Sequence, residues 1–222
     1  MGPAATVHFL GALLAATPAT ADQDHLRVLV DNNPQIPDRN AALAGRGPSP
    51  GPVLAEMAQG LERAGADFLV MPCNTAHAFR RDIEAAVAIP LLGIIEVTVD
   101  AVLAEGGTGD VGLLAAPGAL QARLYQDAFA ARGVRTVAPE GELHERLRAL
   151  LYRIKGGELG PGSRAEMAAI AGALIDEGAR VLASACTEVP LVLRAAEAPA
   201  PLVDSTEALA AATVRRALNL PA

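Results

Sequence analysis

The residues best suited to do chemistry in this chain are its two cysteines, Cys73 and Cys186, 113 positions apart in 222 residues. Two thiols cannot build a disulfide scaffold, and neither a CxxC pair nor a Cys/His zinc spacing surrounds them, so no metal site is expected. Each cysteine is followed by polar residues, Asn74-Thr75-Ala76-His77 after the first and Thr187-Glu188 after the second. Asn and Thr side chains cap helix starts and can also hold a carboxylate. A helix start behind each cysteine would lower a thiol pKa of about 8.5, at which only about 3% is thiolate at pH 7. Two thiols on opposite faces of one carbon suit a two-base reaction. One thiolate removes a proton, the other thiol delivers one, and a stereocentre inverts.

Local cations must hold any anionic substrate, because the chain carries 18 Lys+Arg against 25 Asp+Glu, a net charge of −7. Arg39, in the NPQIPDR loop, and Lys155, before Gly156-Gly157, are the best placed. Each has a plain alternative: Arg39 pairing with Asp31 or Asp38, Lys155 serving as a cation at a helix C-terminus. Glu188 reads either as an acid in a first helical turn or as a partner for a substrate ammonium. His77 reads as a surface or capping residue before it reads as a base.

An internal repeat shows what must position the thiols. Residues 65–73 (GADFLVMPC) match residues 178–186 (GARVLASAC), and Pro90-Leu91-Leu92 with Glu96 matches Pro201-Leu202-Val203 with Glu207. Each copy reads as helix end, glycine, apolar strand, cysteine, polar segment. Strands are predicted at 26–32, 67–71, 90–95, 111–115, 134–138, 181–185 and 202–203. Helices are predicted at 53–64, 76–86, through 104, 120–131, 143–154, 164–177 and 206–218. This alternation predicts an α/β fold of two similar parallel-sheet subdomains related by pseudo-two-fold symmetry, with the active site in the cleft between them. The expected boundaries are residues 1–105 for the half carrying Cys73 and 106–205 for the half carrying Cys186. A C-terminal helix over 206–222 is expected to pack back on the first half. The Gly-rich turn at 106–109 precedes a strand, the reverse of a phosphate loop.

Composition narrows the partners. Hydrophobic residues make up 51% and aromatics 3%, with no Trp, so few platforms exist for stacking bases. With an acidic balance and no basic stripe, no nucleic-acid partner is expected. No apolar run reaches the roughly 18–20 residues needed to span a bilayer, so no membrane partner is expected either. Residues 9–21 have the look of a secretion signal, but no Lys or Arg precedes them. An amphipathic first helix and a cytoplasmic location with reduced thiols are expected instead.

Four stretches carry a resemblance: Met1-Gly2-Pro3 with Thr6, residues 32–39 (NNPQIPDR), residues 71–77 (MPCNTAH), and Cys186-Thr187-Glu188. On these the chain resembles the cofactor-independent aspartate/glutamate racemase family, most closely its aspartate racemases. The resemblance implies an enzyme interconverting L- and D-aspartate, or glutamate, as a homodimer and without pyridoxal phosphate or other cofactors. It implies Cys73 and Cys186 as acid/base thiols, and Arg39 and Lys155 as clamps for the side-chain carboxylate. Asn74, Thr75 and Thr187 become carboxylate or ammonium contacts, with Glu188 and Met1 counted among the substrate-binding residues. The chain departs from the family in three places. The apolar strand that usually precedes Met-Gly-Pro is absent, so the first strand of the N-terminal half is expected to be missing. Ala185 stands where a Gly is usual, and Ala116-Pro117-Gly118-Ala119 replaces a hydroxyl-bearing loop. Related thiol enzymes, hydantoin racemase or maleate isomerase, and an inactive small-acid-binding relative are the alternatives.

Overall fold

Two helices in this chain stop at a glycine in the same way and turn into a parallel strand. In the first, Gly65 (φ +90°) donates to Glu62 O and Ala66 to Leu61 O; in the second, Gly178 (φ +106°) donates to Ile175 O and Ala179 to Leu174 O. This is the Schellman pattern, whose left-handed residue glycine adopts without a Cβ clash. The strand that follows each turn is then joined by a proline carbonyl: Leu69 N–H donates to Pro90 O and Leu182 N–H to Pro201 O, each at 2.8 Å.

The computed structural model describes residues 2–105 and 109–220, and within it the chain divides into two compact units. The first holds residues up to Ile94 together with those from Thr206 onward; the second is Ile95–Ser205. The chain thus passes between units at Ile94, ahead of the 105/106 boundary read from the sequence. The first unit contains α1 (Pro3–Ala16), α2 (Arg39–Leu43), α3 (Gly51–Arg63), β1 (Leu69–Val70), α4 (Arg80–Glu84) and β2 (Leu91–Leu92). Helix α5 (Ile94–Ala104) leads into the second unit. There follow β3 (Val111–Leu113), α6 (Pro117–Gln121), α7 (Leu124–Ala130), β4 (Thr136–Val137), α8 (Gly141–Lys155), α9 (Pro161–Asp176), β5 (Val181–Ser184) and β6 (Leu202–Asp204). Helix α10 (Ser205–Ala217) returns the chain to the first.

Every strand pairing is parallel. Among the described residues, the second unit has a four-stranded sheet in the order β4-β3-β5-β6, and the first a two-stranded one, β1-β2. Strand β5 is buried at all four positions, as a continuous apolar run between two neighbours should be. Around it Leu147, Leu150, Ile170, Leu174 and Leu182 pack into one core with no exposed surface worth counting. Gly112 on β3 is part of that closeness: a Cβ there would lie 2.7 Å from Leu182 Cδ2 and 3.1 Å from Ala179 Cβ.

Several sequence expectations change. Residues 26–32 form no strand. They run beside β1, and the two stretches line a cavity of ≈ 1000 Å³ and a smaller one of ≈ 120 Å³ instead of sharing a ladder. An extended segment without a hydrogen-bonding neighbour gains nothing from strand geometry. The expected helix at 76–86 is a 3₁₀ turn over Thr75–Phe79 followed by the short α4. The expected helix at 120–131 breaks at Arg123, which adopts φ 53° while Gln126 Nε2 donates to Leu120 O. Helix α1 forms but is apolar all round rather than amphipathic: Ala5, Phe9 and Leu13 are buried, whereas Val7 is 70% and Leu14 59% exposed. Met1 and residues 106–108 of the Gly-rich turn lie outside the described residues.

Candidate active site

In the first unit, Cys73 follows β1 after Met71-Pro72, and its N–H donates to Met71 O at 2.7 Å. The thiol is half-buried, while Asn74, Thr75 and His77 behind it are buried. His77 holds this turn. Its Nε2 accepts from the Ile94 N–H at 3.2 Å, so that nitrogen carries no proton, and Nδ1 donates to Cys73 O at 2.9 Å. The ring is therefore a neutral strut between the cysteine turn and the start of α5, with no nitrogen left for proton transfer.

Helix α2 packs against the 75–79 turn and brings Arg39 to the same end of the unit. Asp38 caps that helix by accepting from Ala41 N–H at 2.7 Å. Asn33 shapes the preceding loop, its Oδ1 accepting from Gln35 N–H, and Thr6 of α1 donates to Asn32 Oδ1 at 2.9 Å. Arg39 Nη1 donates to Ile36 O and Pro37 O at 3.4 and 3.1 Å, and its Nε is buried with no partner. Among the described residues it makes no ion pair, so neither Asp31 nor Asp38 neutralises it.

In the second unit, β5 ends at Ser184, and Ala185-Cys186-Thr187-Glu188 turn away from it. Ser184 Oγ donates to Cys186 O at 3.3 Å, and Val189 N–H closes the turn on the same oxygen at 3.0 Å. Cys186, Thr187 and Glu188 are all buried. The Cys186 thiol donates to Glu188 Oε2 at 3.0 Å, and Thr187 Oγ1 donates to that oxygen at 3.4 Å. Burial pushes the Cys186 thiol well above its ordinary pKa, the Glu188 charge adds to the rise, and Lys155 opposes it. Lys155, exposed at the end of α8, lies over the Tyr152 ring at 5.1 Å.

These turns correct one electrostatic expectation. Neither cysteine opens an α-helix: Thr75–Phe79 and Val189–Leu191 are 3₁₀ turns, and Asn74 makes no side-chain cap. Pro190 lies in the first turn of the second segment, where its missing amide leaves no hydrogen bond unmade. For Cys186, burial and a carboxylate take the place of the expected helix field and act in the opposite direction.

The sequence did not point to Tyr125 or to the thiol–carboxylate bond. Tyr125 is fully buried on α7, donates to Thr98 Oγ1 at 3.3 Å and is also bonded to Ser205. Burial drives its hydroxyl pKa far up, and the Cys186 charge adds to that rise, so the phenol lies in the thiol's electrostatic field. Only its rarity (there are two Tyr in the chain) could have marked it. The loop at Ala115-Ala116 is buried and brings no hydroxyl of its own. Among the described residues, no three His, Cys, Asp or Glu side chains gather as metal ligands, and no helix is long and apolar enough to cross a membrane.

Parallel sheets, a Gly-turned strand ending at a cysteine in each unit, and polar residues after each thiol define an α/β protein of the racemase fold. The Asp/Glu/Hydantoin racemase family model matches residues 1–213, and the chain belongs to that family. The solved structure of Picrophilus torridus aspartate racemase superposes with a TM-score of 0.87 at 28% identity, covering 98% of this chain and 90% of that one. The Bacillus subtilis broad specificity amino-acid racemase RacX is 29% identical over 157 residues, 69% of this chain and 66% of RacX. A glutamate racemase from Beutenbergia cavernae is 30% identical over 143 residues, 62% of this chain and 47% of that protein. The chain thus spans just under two thirds of RacX and about half of the glutamate racemase.

Proposed function

We propose that this chain is an amino-acid racemase that interconverts L- and D-aspartate, or glutamate, by cofactor-independent proton transfer between Cys73 and Cys186. The observation that carries the reading is the repeated unit itself: helix, left-handed glycine, parallel strand, cysteine, then polar side chains, in a chain of this family. In one direction a thiolate takes the Cα proton, becoming a thiol, and the electron pair stays on the α-carbon. The other thiol then protonates the opposite face and is left as the thiolate. Arg39, with a buried Nε free of any partner, and Lys155, whose charge is felt at Cys186, hold the side-chain carboxylate. Asn74, Thr75 and Thr187 contact the α-carboxylate and ammonium, and Met1 belongs with the substrate contacts.

Exposed Val7 and Leu14 on α1 support a homodimer, since a helix apolar on every face asks for a second cover. Two free thiols suit a reducing, cytoplasmic setting. Nucleic acid and membranes have no place in this reading.

Incubation with L-aspartate in D2O, without added cofactor, is expected to yield D-aspartate and deuterium at Cα. If neither forms, the substrate assignment is wrong. Cys73→Ser and Cys186→Ser should each lower racemisation by about 10²–10⁴-fold, the usual scale of a lost acid/base group. Full turnover by either variant overturns the two-thiol mechanism. The hydroxyl-free loop at Ala116 favours one second reading, in which the same thiols serve a hydantoin, or maleate through thiol addition to its double bond. A panel of aspartate, hydantoins and maleate decides between them. Ligand-induced stabilisation without turnover would mark a binding protein.

A further inference from the structure

One side of the first unit is cationic and apolar at once. The cavity of ≈ 1000 Å³ between residues 26–32 and β1 is lined entirely by residues of this unit, and its charged lining is Arg27, Arg215 and Arg216 against Asp67. Positive charge thus prevails here in a chain whose net charge is −7. Among the described residues, none of these arginines makes an ion pair, whereas Arg80, Arg123, Arg132, Arg135 and Arg153 all pair with carboxylates. Arg216 lies instead over the Phe68 ring, 5.1 Å from its centre. Arg215 and Arg216 close α10, where a cation suits the helix dipole, but Arg27 belongs to no helix and lines the same cavity.

Beyond the arginines the lining turns apolar. The cavity of ≈ 120 Å³ adjoins the larger one and shares Phe9, Val28, Leu29, Leu61, Leu69 and Val70 with it. The charge in that lining is Asp31, so an anion is repelled there and attracted at the arginines. Val28 and Leu220, on the wall of the larger cavity, are 41% and 44% exposed, apolar surface that a ligand would cover. We propose that this cavity binds an acyl-chain anion, a long aliphatic carboxylate with its head at Arg27, Arg215 and Arg216 and its chain along Phe9, Leu29, Leu61 and Leu69. Guanidinium groups match a carboxylate's two oxygens, and each methylene taken from water strengthens binding about fourfold. An inorganic anion would leave the apolar lining wet, and an uncharged chain would leave the arginines unanswered. Neither cysteine lines the cavities, so the site is separate from the proposed racemase chemistry.

Equilibrium dialysis of the full chain against radiolabelled dodecanoate, below its micelle concentration, tests the site. Saturable binding of one dodecanoate per chain is expected. Hexanoate, six methylenes shorter, should compete about a hundredfold less well or worse. Dodecyltrimethylammonium, with the same chain and the opposite charge, should not compete. Arg215→Ala combined with Arg216→Ala, both at exposed positions, should weaken binding about tenfold or more. Val28→Asp sets a carboxylate where the two cavities adjoin, should weaken binding by a similar factor, and serves if the double variant does not fold. Uptake that never saturates, equal competition by dodecyltrimethylammonium, or undiminished affinity in either folded variant overturns the proposal. If dodecanoate does not bind and the protein sediments as a dimer that Val28→Asp dissociates, a second copy covers the cavity and the proposal falls. Racemisation is not read in this experiment, so its failure leaves the proposed function standing.

Discussion

The two units share one local device and support it differently. In both, a helix stops at a left-handed glycine, a strand runs out parallel to its neighbour, and a cysteine follows. In the second unit that strand is β5, flanked by β3 and β6 and buried throughout. In the first it is β1, paired on one side only, with its other edge facing cavities shared with residues 26–32. The thiols differ accordingly: Cys186 is buried and bonded to a carboxylate, whereas Cys73 is half-buried beside a turn braced by His77. The local sequence places a cysteine at the end of a strand, and the neighbouring strands decide how firmly it is held there.

The strongest test of this difference is a matched pair of core truncations. Leu182→Ala empties a site on β5 that is 0% exposed and enclosed by Leu174 and Ala179. It should cost stability near the upper end of the roughly 2–5 kcal/mol range for such changes. Leu69→Ala on β1 removes a side chain that already borders both cavities, and should cost near 2 kcal/mol, the lower end of the range. Urea midpoints of the two variants measure this. Equal losses would mean that β1 is as well supported as β5.

A smaller effect separates the thiols by pH. Cys186 has a raised folded-state pKa, so the unfolded chain releases this proton at about pH 8.5 while the folded chain keeps it. The unfolded state then binds fewer protons, and stability must fall as pH rises through that window, by at most about 1.4 kcal/mol per pH unit for one group. Its contribution is complete below pH ~8.5 and is lost on the alkaline side. Cys186→Ser should flatten the alkaline limb between about pH 8.5 and 10, before tyrosines titrate. An identical limb in the parent and the variant would refute the burial argument for this thiol.

What could be read from the sequence follows the range of the interactions involved. The Gly65 and Gly178 turns, the strands that follow them and most helices of the second unit depend on neighbours a few residues away, and their patterns were visible. Residues 26–32 carry a strand pattern and form no strand, because pairing depends on a neighbour that pattern cannot supply. Helix α1 was expected to be amphipathic, but Val7 and Leu14 face outward, and which side of a mostly apolar helix is covered depends on its neighbours. At the site, the two cysteines and Arg39 were marked by motif and charge. The Cys186–Glu188 bond was not, because the spacing alone does not encode the turn after β5 that sets the thiol and the carboxylate 3.0 Å apart. Tyr125 reaches the field of Cys186 through tertiary packing, which no spacing in the sequence encodes.

The finest comparison concerns the shared device itself. Gly65 and Gly178 have φ of +90° and +106°, and a Cβ would meet nothing within 4 Å at Gly65 and only Asp110 and Arg135 atoms at 3.9 and 4.0 Å at Gly178. Neither site is crowded, so an alanine there is penalised only by its left-handed backbone, on the order of 1–2 kcal/mol. Gly65→Ala and Gly178→Ala should therefore lower the urea midpoint by similar amounts, despite the unequal sheets that follow them. If Gly178→Ala costs several times more, the rigid sheet of the second unit must be preventing the turn from relaxing, and the two devices are alike in form only. If Gly65→Ala is harmless, the open edge beside β1 has let the turn find another path. A near-equal loss would place the difference between the two cysteines entirely in what surrounds their strands.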